Sequence, residues 1–386
     1  MSDVSCCLLV FPSVQVFPGV ITTEEGSDVT MMCHVTGHPL PDVTWSRSEV
    51  SLPALRSIVN EGNLTILNVS TTDSGSYVCT AKSIVGTNSS SAQFHVYSAL
   101  KFLTRPPSSV LVYTGQTLNL SCSASSDLET TITWAINGIM SLPQGAHTDA
   151  SSNLIILSVN INHGGNYTCS AMNSLSSLQA NVNVRVKIPE TCSSVKANIN
   201  DVSGNYVIDP DGEQGEAPFS VYCNMTDKGG VGVTVVSHDS EKRTHVKGYE
   251  GEGSYSRNIT YNGVSLSQLE ALTKVSNYCE QFIRFECKHS KLEDVSWWVS
   301  RNGRKMSYWG GATGMNGSCA CGVTNTCYLP NEKCNCYTND RHWREDSGLL
   351  TDKFYLPVSQ LRFGDTGGKT EEGYHTLGKL KCYGLS

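Results

Sequence analysis

Two stretches of the chain repeat one frame of cysteine and tryptophan. Trp45 follows Cys33 by 12 residues, and Cys79 closes the frame 46 residues after Cys33. The same order recurs with gaps of 12 and 47 residues in a second set, which comprises Cys122, Trp134 and Cys169. A two-sheet β-sandwich has this frame when one disulfide crosses its core and an indole packs against the sulfur atoms. The repeat therefore predicts two sandwiches in the first half of the chain.

The length and charge of the chain limit the number of its domains and the kinds of partner that it can bind. A chain of 386 residues is long enough for two to three domains. The 28 basic and 35 acidic residues are dispersed and give a net charge of -7. The sequence has no basic stripe of the kind that binds nucleic acid or anionic lipid. We therefore expect neither partner, and the sequence indicates no cofactor.

The 16 cysteines need a separate explanation. Four belong to the repeated frames, Cys6 and Cys7 lie in the N-terminal lead, and ten lie between Cys192 and Cys382. Dense and even cysteine usage is typical of a disulfide framework in an oxidising compartment. We therefore expect a secreted or extracellular protein, in the matrix or at the cell surface.

Glycosylation sequons support the same compartment. An Asn-X-Ser/Thr triplet without proline at X starts at eight positions, namely Asn63, Asn68, Asn88, Asn119, Asn166, Asn224, Asn258 and Asn316. Chance produces a few such triplets in any chain, but their spread over the whole length suits a glycoprotein of the secretory pathway.

The N-terminal lead, residues 1–13, has only part of a signal-peptide pattern. Residues 4–20 are mostly apolar, but Asp3 stands where a basic region is expected and prolines interrupt the run. This pattern predicts a degenerate or truncated signal segment. No later window holds 18 consecutive apolar residues, so we expect no transmembrane segment in this chain.

The segment 14–97 has further sandwich signals. Val29, Met31 and Cys33 alternate along one predicted strand with their side chains inward. Asp73 starts a D-x-G-x-Y-x-C motif whose Tyr77 lies two residues before the second cysteine. A tyrosine at this position ties the neighbouring turn back to the backbone through its hydroxyl.

The segment 98–187 repeats these signals with Gly165, Tyr167 and Cys169, but His163 takes the place of the aspartate. We expect His163 to be a surface turn residue. Both segments resemble immunoglobulin domains of the I-set type found in cell-adhesion and matrix proteins. The resemblance implies a role in recognition.

The third segment, 188–386, opens with SGNYVIDPDGEQGEAPFSVYCNM, in which strand-like alternation brackets an acidic Gly/Pro turn. This stretch resembles the start of a fibrinogen C-terminal-like domain, a small α+β fold. The resemblance implies a disulfide between Cys192 and Cys223. The later motifs CEQFIRFEC, SWWVSRNGRKMSYWGG, CACG, CNC and LPVSQLRFGDT resemble the shortened fibrinogen-like module of contactin-associated proteins and other neurexin-superfamily receptors.

The cysteines from Cys319 to Cys336 could bind zinc or form disulfides. Structural zinc sites prefer C-x₂₋₄-C spacing, whereas the closer C-x-C spacing suits two sulfur atoms that enter different disulfides. We therefore predict disulfides and no metal. Cys279 and Cys287, eight residues apart, form a plausible local bridge. The pairing of the others stays open, and they are Cys319, Cys321, Cys327, Cys334, Cys336 and Cys382.

Two further groups have alternative interpretations. Asp340, Glu345 and Asp346 offer carboxylates to calcium, but basic residues interleave them, and we expect a solvated turn or local ion pairs. The aromatic residues Trp297, Trp298, Tyr308 and Trp309 could form a sugar- or protein-binding platform. Adjacent tryptophans on a strand face opposite sides, so we expect most of this group to pack in the core.

Catalysis has no support in the sequence, because it contains no G-x-S-x-G, H-E-x-x-H or phosphate-binding glycine loop. We expect a mainly β, non-enzymatic protein of adhesion or extracellular recognition that binds other proteins, with glycans as a second candidate class of ligand. Two alternatives stay open. One is a secreted component of the extracellular matrix, with a mineralised matrix among the candidates, and the other is a soluble fibrinogen-related lectin of the invertebrate defence type.

Overall fold

A computed structural model describes residues 9–314 and 317–385. Strands hold 47% and helices 9% of the residues, which confirms the mainly β fold class. The chain divides into two compact units. The first comprises residues up to 110 together with 117–157 and 163–185, and the second comprises 111–116, 158–162 and the residues from 186 onward.

The first sandwich has eight strands, which are β1 (Val10–Phe17), β2 (Val20–Glu24), β3 (Val29–His38), β4 (Asp42–Arg47), β5 (Ser57–Asn60), β6 (Asn63–Ile66), β7 (Gly75–Ser83) and β8 (Gly86–Tyr97). They form two sheets with the orders β1-β3-β6-β5 and β2-β8-β7-β4. Val29, Met31 and Cys33 are buried as predicted, and Cys33 is bonded to Cys79 across the core. The Trp45 indole donates to the carbonyl of Gly62 at 2.7 Å.

The predicted end of the N-terminal lead at residue 13 is wrong. Strand β1 begins at Val10, where Val10 pairs with His38 and Ser13 pairs with Thr36. These backbone pairings place residues 10–13 inside the sheet, because part of the apolar run that suggested a signal segment forms strand β1. Cys6 and Cys7 lie outside the described residues.

The second sandwich has nine strands, which are β9 (Lys101–Thr104), β10 (Ser109–Tyr113), β11 (Leu118–Leu120), β12 (Ser123–Ser125), β13 (Thr131–Ile136), β14 (Ala146–Thr148), β15 (Leu154–Ile156), β16 (Gly165–Met172) and β17 (Ser177–Lys187). Its sheets have the orders β10-β17-β16-β13, β11-β15-β14 and β12-β9. A disulfide joins Cys122 to Cys169, and the Trp134 indole donates to the carbonyl of Ser152 at 2.9 Å.

Both tyrosines of the repeated motif hold their turns as expected. The hydroxyl of Tyr77 donates to the carbonyl of Asp73, and that of Tyr167 donates to the carbonyl of His163, each at 2.9 Å. The expectation that His163 is a surface residue is wrong, because its side chain is buried. Its Nε2 atom lies 3.2 Å from the carbonyl oxygen of Gln144, so the turn supplies the polar contact that burial requires.

The described residues of the last segment, 188–314 and 317–385, form eleven strands and three α-helices. The strands are β18 (Gly204–Ile208), β19 (Phe219–Asn224), β20 (Val233–Val236), β21 (Thr244–Val246), β22 (Tyr255–Asn258), β23 (Ser276–Lys288), β24 (Trp297–Ser300), β25 (Lys305–Met306), β26 (Arg344–Leu350), β27 (Val358–Phe363) and β28 (Glu372–Leu385). The helices are α1 (Cys192–Asn198), α2 (Leu266–Val275) and α3 (Ala320–Thr324).

These strands form two sheets. A seven-stranded sheet has the order β18-β19-β20-β28-β23-β26, with β21 also paired to β28, and a four-stranded sheet has the order β22-β27-β24-β25. Phe285 of the large sheet stacks on Phe363 of the small one, with ring centroids 4.5 Å apart, so the core lies between the two sheets. Helix α2 begins at a capping box in which Ser265 and Gln268 exchange hydrogen bonds.

Five disulfides hold the last segment. They join Cys192 to Cys223, Cys279 to Cys382, Cys287 to Cys336, Cys319 to Cys334, and Cys321 to Cys327. The predicted bridge between Cys279 and Cys287 is wrong. Both cysteines lie on β23, where eight residues of extended chain span about 26 Å. A disulfide needs Cα atoms within roughly 7 Å.

The C-x-C pairs divide their cysteines between different disulfides, as predicted. Cys321 lies in α3 and Cys336 lies in a 3-10 helix, Asn335–Thr338, so neither pair is on a strand.

None of the helices within residues 9–314 and 317–385 has the length and apolar character that a membrane crossing requires.

Candidate protein interface

The outer side of the seven-stranded sheet is the most distinctive surface of the last segment. Along β23 the side chains alternate, so that Ile283, Phe285 and Cys287 are buried in the core. The intervening residues face the opposite side of the sheet. We call the central part of that side the aromatic–ionic face, and it comprises Arg243, His245, Arg284, Glu286, Lys288, Trp343, Glu345, Glu372 and Tyr374.

Strand register brings these residues together from four distant parts of the sequence. Tyr374 of β28 lies opposite His245 of β21 on one side and opposite Glu286 of β23 on the other. Glu286 in turn lies opposite Glu345 of β26. The strands are therefore the scaffold that fixes the face, and rigid strands hold side chains more firmly than a loop does.

Tyr374 is the centre of the face. The guanidinium carbon of Arg243 lies 3.3 Å from the centroid of its ring, and the His245 ring stacks on it at 4.6 Å. The Trp343 ring lies 5.6 Å away and is tilted by 41°. Cations are attracted to the faces of aromatic rings, so these contacts hold the cluster in one arrangement.

Ion pairs surround the aromatic centre. Arg243 binds Glu286 at 2.6 Å, and Lys288 and His245 each bind Glu372 at 3.2 Å. Burial alone would raise the pKa of Glu372, but hydrogen bonds from Lys288 and His245 lower it overall. A second arginine of the face contacts two carboxylates, since Arg284 pairs with both Glu286 and Glu345. The cations and carboxylates of the face therefore compensate one another.

Trp343 remains available to a partner. Its side chain is 47% exposed, which is unusual for so large an aromatic residue. Beside it lies a concavity of about 330 Å³ that is also lined by Glu286, Asn335, Arg344 and Glu345. An exposed indole next to a polar concavity can fill an apolar pocket of a partner while its neighbours accept and donate hydrogen bonds.

The aromatic group predicted from the sequence lies elsewhere and mostly packs in the core. Trp298, Tyr308 and Trp309 are each no more than 2% exposed. Trp297 is half-buried, with the Lys305 ammonium 3.8 Å from its ring centroid. Gly253 lies so close beneath the Trp297 ring that a Cβ atom there would be 2.2 Å from it. Trp298 and Trp297 therefore face opposite sides of β24, as expected.

The acidic residues considered for calcium do not converge. Asp340 forms an ion pair with Arg344, and Glu345 faces Arg284. Asp346 is buried, and its carboxylate accepts from the backbone N–H groups of Asn335 and Cys336 at 2.9 and 2.8 Å. Burial raises the pKa of Asp346 to about 6 against the effect of these bonds. Asp346 therefore holds a cysteine-rich turn.

Two other groups of potential metal ligands occur in the described part of the chain. One brings Asp346 near Cys319 and Cys334, but these cysteines are bonded to each other and cannot act as thiolate ligands. The other brings carboxylate oxygens of Glu250, Asp365 and Glu371 within 4.8 Å of one another. Such acidic groups are common without an ion, so this geometry does not assign a metal.

The sequons differ in exposure. Five asparagines are exposed, namely Asn68, Asn88, Asn119, Asn166 and Asn258. Asn63 and Asn224 are half-buried, and Asn316 lies outside the described residues. The side-chain oxygen of Asn224 accepts from both the backbone N–H and the hydroxyl of Thr226, the third residue of its own sequon. Which of these asparagines carry glycan stays a prediction.

Comparison with protein families identifies the first half of the chain. The family model described as immunoglobulin domain matches residues 12–83 and 102–173. These two segments are immunoglobulin domains. The matched residues include both cysteine–tryptophan frames from which the sandwiches are predicted. A structure of extracellular domains 3–5 of Drosophila OTK is 23% identical over 45% of this chain and 62% of its own, with a TM-score of 0.41.

Known relatives cover about half of the chain. Neurexin-4 of Drosophila melanogaster is 37% identical over 210 residues, which are 51% of this chain and 16% of the relative. Contactin-associated protein 1 of Homo sapiens is 38% identical over 201 residues, which are 50% of this chain and 14% of the relative. The matched region therefore spans about a sixth of these relatives or less, and their activities as whole proteins do not transfer to this chain directly.

Proposed function

We propose that the chain is a non-enzymatic extracellular protein of recognition or adhesion, and that the aromatic–ionic face is a surface through which it binds other proteins. We further propose three modules at residues 10–97, 98–187 and 188–386, of which the last is a fibrinogen-like domain. The two immunoglobulin domains and the adhesion-type relatives support the general class. The aromatic–ionic face supports the specific surface.

The observation that carries the proposal is the exposed Trp343 beside the Tyr374–Arg243 pair. Tryptophan, tyrosine and arginine dominate the binding energy of protein interfaces. Here Tyr374 lies on β28, Arg243 and Trp343 directly precede β21 and β26, and the ion pairs around them are already formed. A partner would therefore meet an ordered surface and lose little free energy in ordering it.

The partner is a protein of the cell surface or of the matrix. The name of contactin-associated protein 1 describes that relative as associated with contactin, so a contactin-type receptor is the first candidate to test. Compensated charges on the face disfavour a polyanion as the main ligand, since an anionic chain would have to displace Glu286 and Glu372 from their cations.

The test is binding of the fluorescently labelled full chain to cells, with two variants. Trp343→Ala removes the exposed indole and should weaken binding at least tenfold, because a truncated anchor of this kind costs about 2 kcal/mol or more. The matched control is Phe354→Ala, which truncates an aromatic residue that is 62% exposed but lies outside the strands of the face. The control should bind as the unmodified chain does.

The outcomes separate the function classes. Saturable binding that protease treatment of the cells abolishes supports a protein partner. Binding that survives protease but is lost after glycosidase treatment would instead support the lectin alternative, and binding only to insoluble matrix would support the matrix alternative. Equal binding of Trp343→Ala and Phe354→Ala would show that the aromatic–ionic face does not bind the partner.

A further inference from the structure

One end of the first immunoglobulin domain is an apolar tip, which we define by Phe11, Leu40 and Ile84. The loop between β3 and β4 joins the strands of the first cysteine and the tryptophan, and the turn between β7 and β8 follows the strand of the second cysteine. In an immunoglobulin sandwich these connections lie at the same end. Leu40 and Ile84 are 81% and 84% exposed, and Phe11 is 55% exposed.

Contacts confirm that three segments meet at this tip. A Cβ atom on Gly86 would lie 2.3 Å from the Phe11 ring, so the ring packs directly on the turn between β7 and β8. A Cβ atom on Gly37 would lie 3.3 Å from the Cα atom of Pro12, which brings the start of β1 to the loop between β3 and β4. The stretches 37–41 and 83–86, GHPLP and SIVG, contain no Asp, Glu, Lys or Arg.

The second immunoglobulin domain uses the equivalent end for docking. Counted from the repeated tryptophan and cysteine, Leu40 corresponds to Glu129 and Ile84 corresponds to Ser174. At that end Asn173 and Ser176 both donate to the Glu24 carboxylate of the first domain, at 3.3 and 2.5 Å. The equivalent end therefore receives a polar neighbour in the second domain, whereas in the first domain it is apolar.

We propose that the apolar tip docks on the apolar tip of a second copy of this chain. In a two-fold contact each patch meets itself, and an uncharged apolar patch does so without like-charge repulsion. A head-to-tail contact like that of the second domain fits less well, because it would place the charged Glu24 surface against Leu40 and Ile84. Three protruding side chains form a small interface, so the dimer should be weak, with a Kd on the order of 10–100 μM.

This inference rests on the proposed function, for which it names one partner. A weak contact between copies at the tips suits adhesion between two surfaces that each carry many copies, because multivalency multiplies it. The tip and the aromatic–ionic face lie on different domains, so their contributions can be separated by substitution.

The test is sedimentation velocity of the full chain over about two decades of concentration around the expected Kd. The unmodified chain should pass reversibly from monomer to dimer. Leu40→Asp and Ile84→Asp should each raise the Kd at least tenfold, because each buries a charge opposite its own copy. The matched control is Leu103→Asp in the second domain, which changes a leucine of 65% exposure and should leave the dimer intact.

A photo-crosslinking residue at position 84 then tests the geometry. Crosslinks between copies should fall within residues 9–11, 37–41 and 83–86 of the second copy. Crosslinks to any other surface would overturn the tip-to-tip contact, as would a chain that stays monomeric at all concentrations or variants that all dimerise equally. Thermal unfolding of each variant verifies that the domain is folded.

Cell binding distinguishes this inference from the proposed function. If the unmodified chain is monomeric and Leu40→Asp still lowers cell binding, the tip binds a different protein and the second-copy proposal fails. If the chain dimerises through the tip while Trp343→Ala binds cells normally, the proposed face fails and the inference on the tip holds.

Discussion

Two buried ionisable groups of the last segment should give opposite dependences of stability on pH. His375 lies on β28, stacked on Phe363 with ring centroids 5.5 Å apart, and its Nε2 atom pairs with the Tyr255 hydroxyl at 2.9 Å. Burial lowers the pKa of His375 from 6.5 to about 4. Burial raises the pKa of Asp346 from 3.8 to about 6.

The direction follows from proton linkage. Below pH 6.5 the unfolded chain protonates residue 375 while the folded chain does not, so stability is lost as the pH falls toward 4. For the pKa values of 6.5 and about 4, the loss between pH 7 and pH 5 is about 2 kcal/mol. Asp346 binds its proton more readily in the folded chain, so over the same interval it contributes a gain of about 1 kcal/mol.

The gain from Asp346 offsets only part of the loss from His375 in the unmodified chain, and single variants separate the two effects. Asp346→Asn removes the gain and should make the segment more acid-sensitive by about 1 kcal/mol between pH 7 and pH 5. His375→Gln removes the loss and should make it less acid-sensitive by about 2 kcal/mol. All other titrating groups are shared by the three proteins, so they cancel in the differences.

Hydrogen–deuterium exchange of the β23 and β28 amides measures this locally, after correction for the intrinsic exchange rate at each pH. Relative to the unmodified chain, the change in protection factor between pH 7 and pH 5 should differ about fivefold for Asp346→Asn and about 30-fold in the opposite direction for His375→Gln. Equal pH dependence in all three proteins would refute the assignment of buried charge to these two residues.

Other substitutions test the covalent frame and the immunoglobulin cores. Replacing Cys279 and Cys382 by alanine opens a bridge of sequence separation 103 and should lower the free energy of unfolding by about 5 kcal/mol, against about 2 kcal/mol for Cys321 and Cys327 with separation 6, measured by urea unfolding. Equal losses would contradict the loop-entropy argument. Tyr77→Phe removes a buried hydrogen bond and should cost about 1 kcal/mol in the same measurement, and an unchanged midpoint would contradict that role.

The immunoglobulin domains could be predicted from the sequence because their signals are local. The frame of Cys33, Trp45 and Cys79 fits within one domain, and inward residues of β3 are two positions apart. The frame of cysteine and tryptophan also occurs in the second domain, so the two domains support the same fold prediction. The predicted surface position of His163 failed because a turn motif shows which residues bend the chain but not which of them the neighbouring strands cover.

The last segment could be predicted only in part, since its pairings depend on strand register over long separations. Cys279 meets Cys382 because β23 lies beside β28, and nothing near either cysteine specifies that neighbour. The aromatic–ionic face was missed for the same reason. Trp343 and Tyr374 are far apart in the sequence, and neither lies in a motif that indicates a binding surface. Only the alternation of polar residues along β23 could have indicated that one side of the sheet faces outward.

The most direct test of the central claim is hydroxyl-radical footprinting of the full chain on cells that bind it. We predict that oxidation of Trp343 and Tyr374 falls on binding, while oxidation of the exposed Phe354 in the same segment is unchanged. Protection of Phe354 without protection of Trp343 would contradict the claim that the outer side of the seven-stranded sheet contacts the partner.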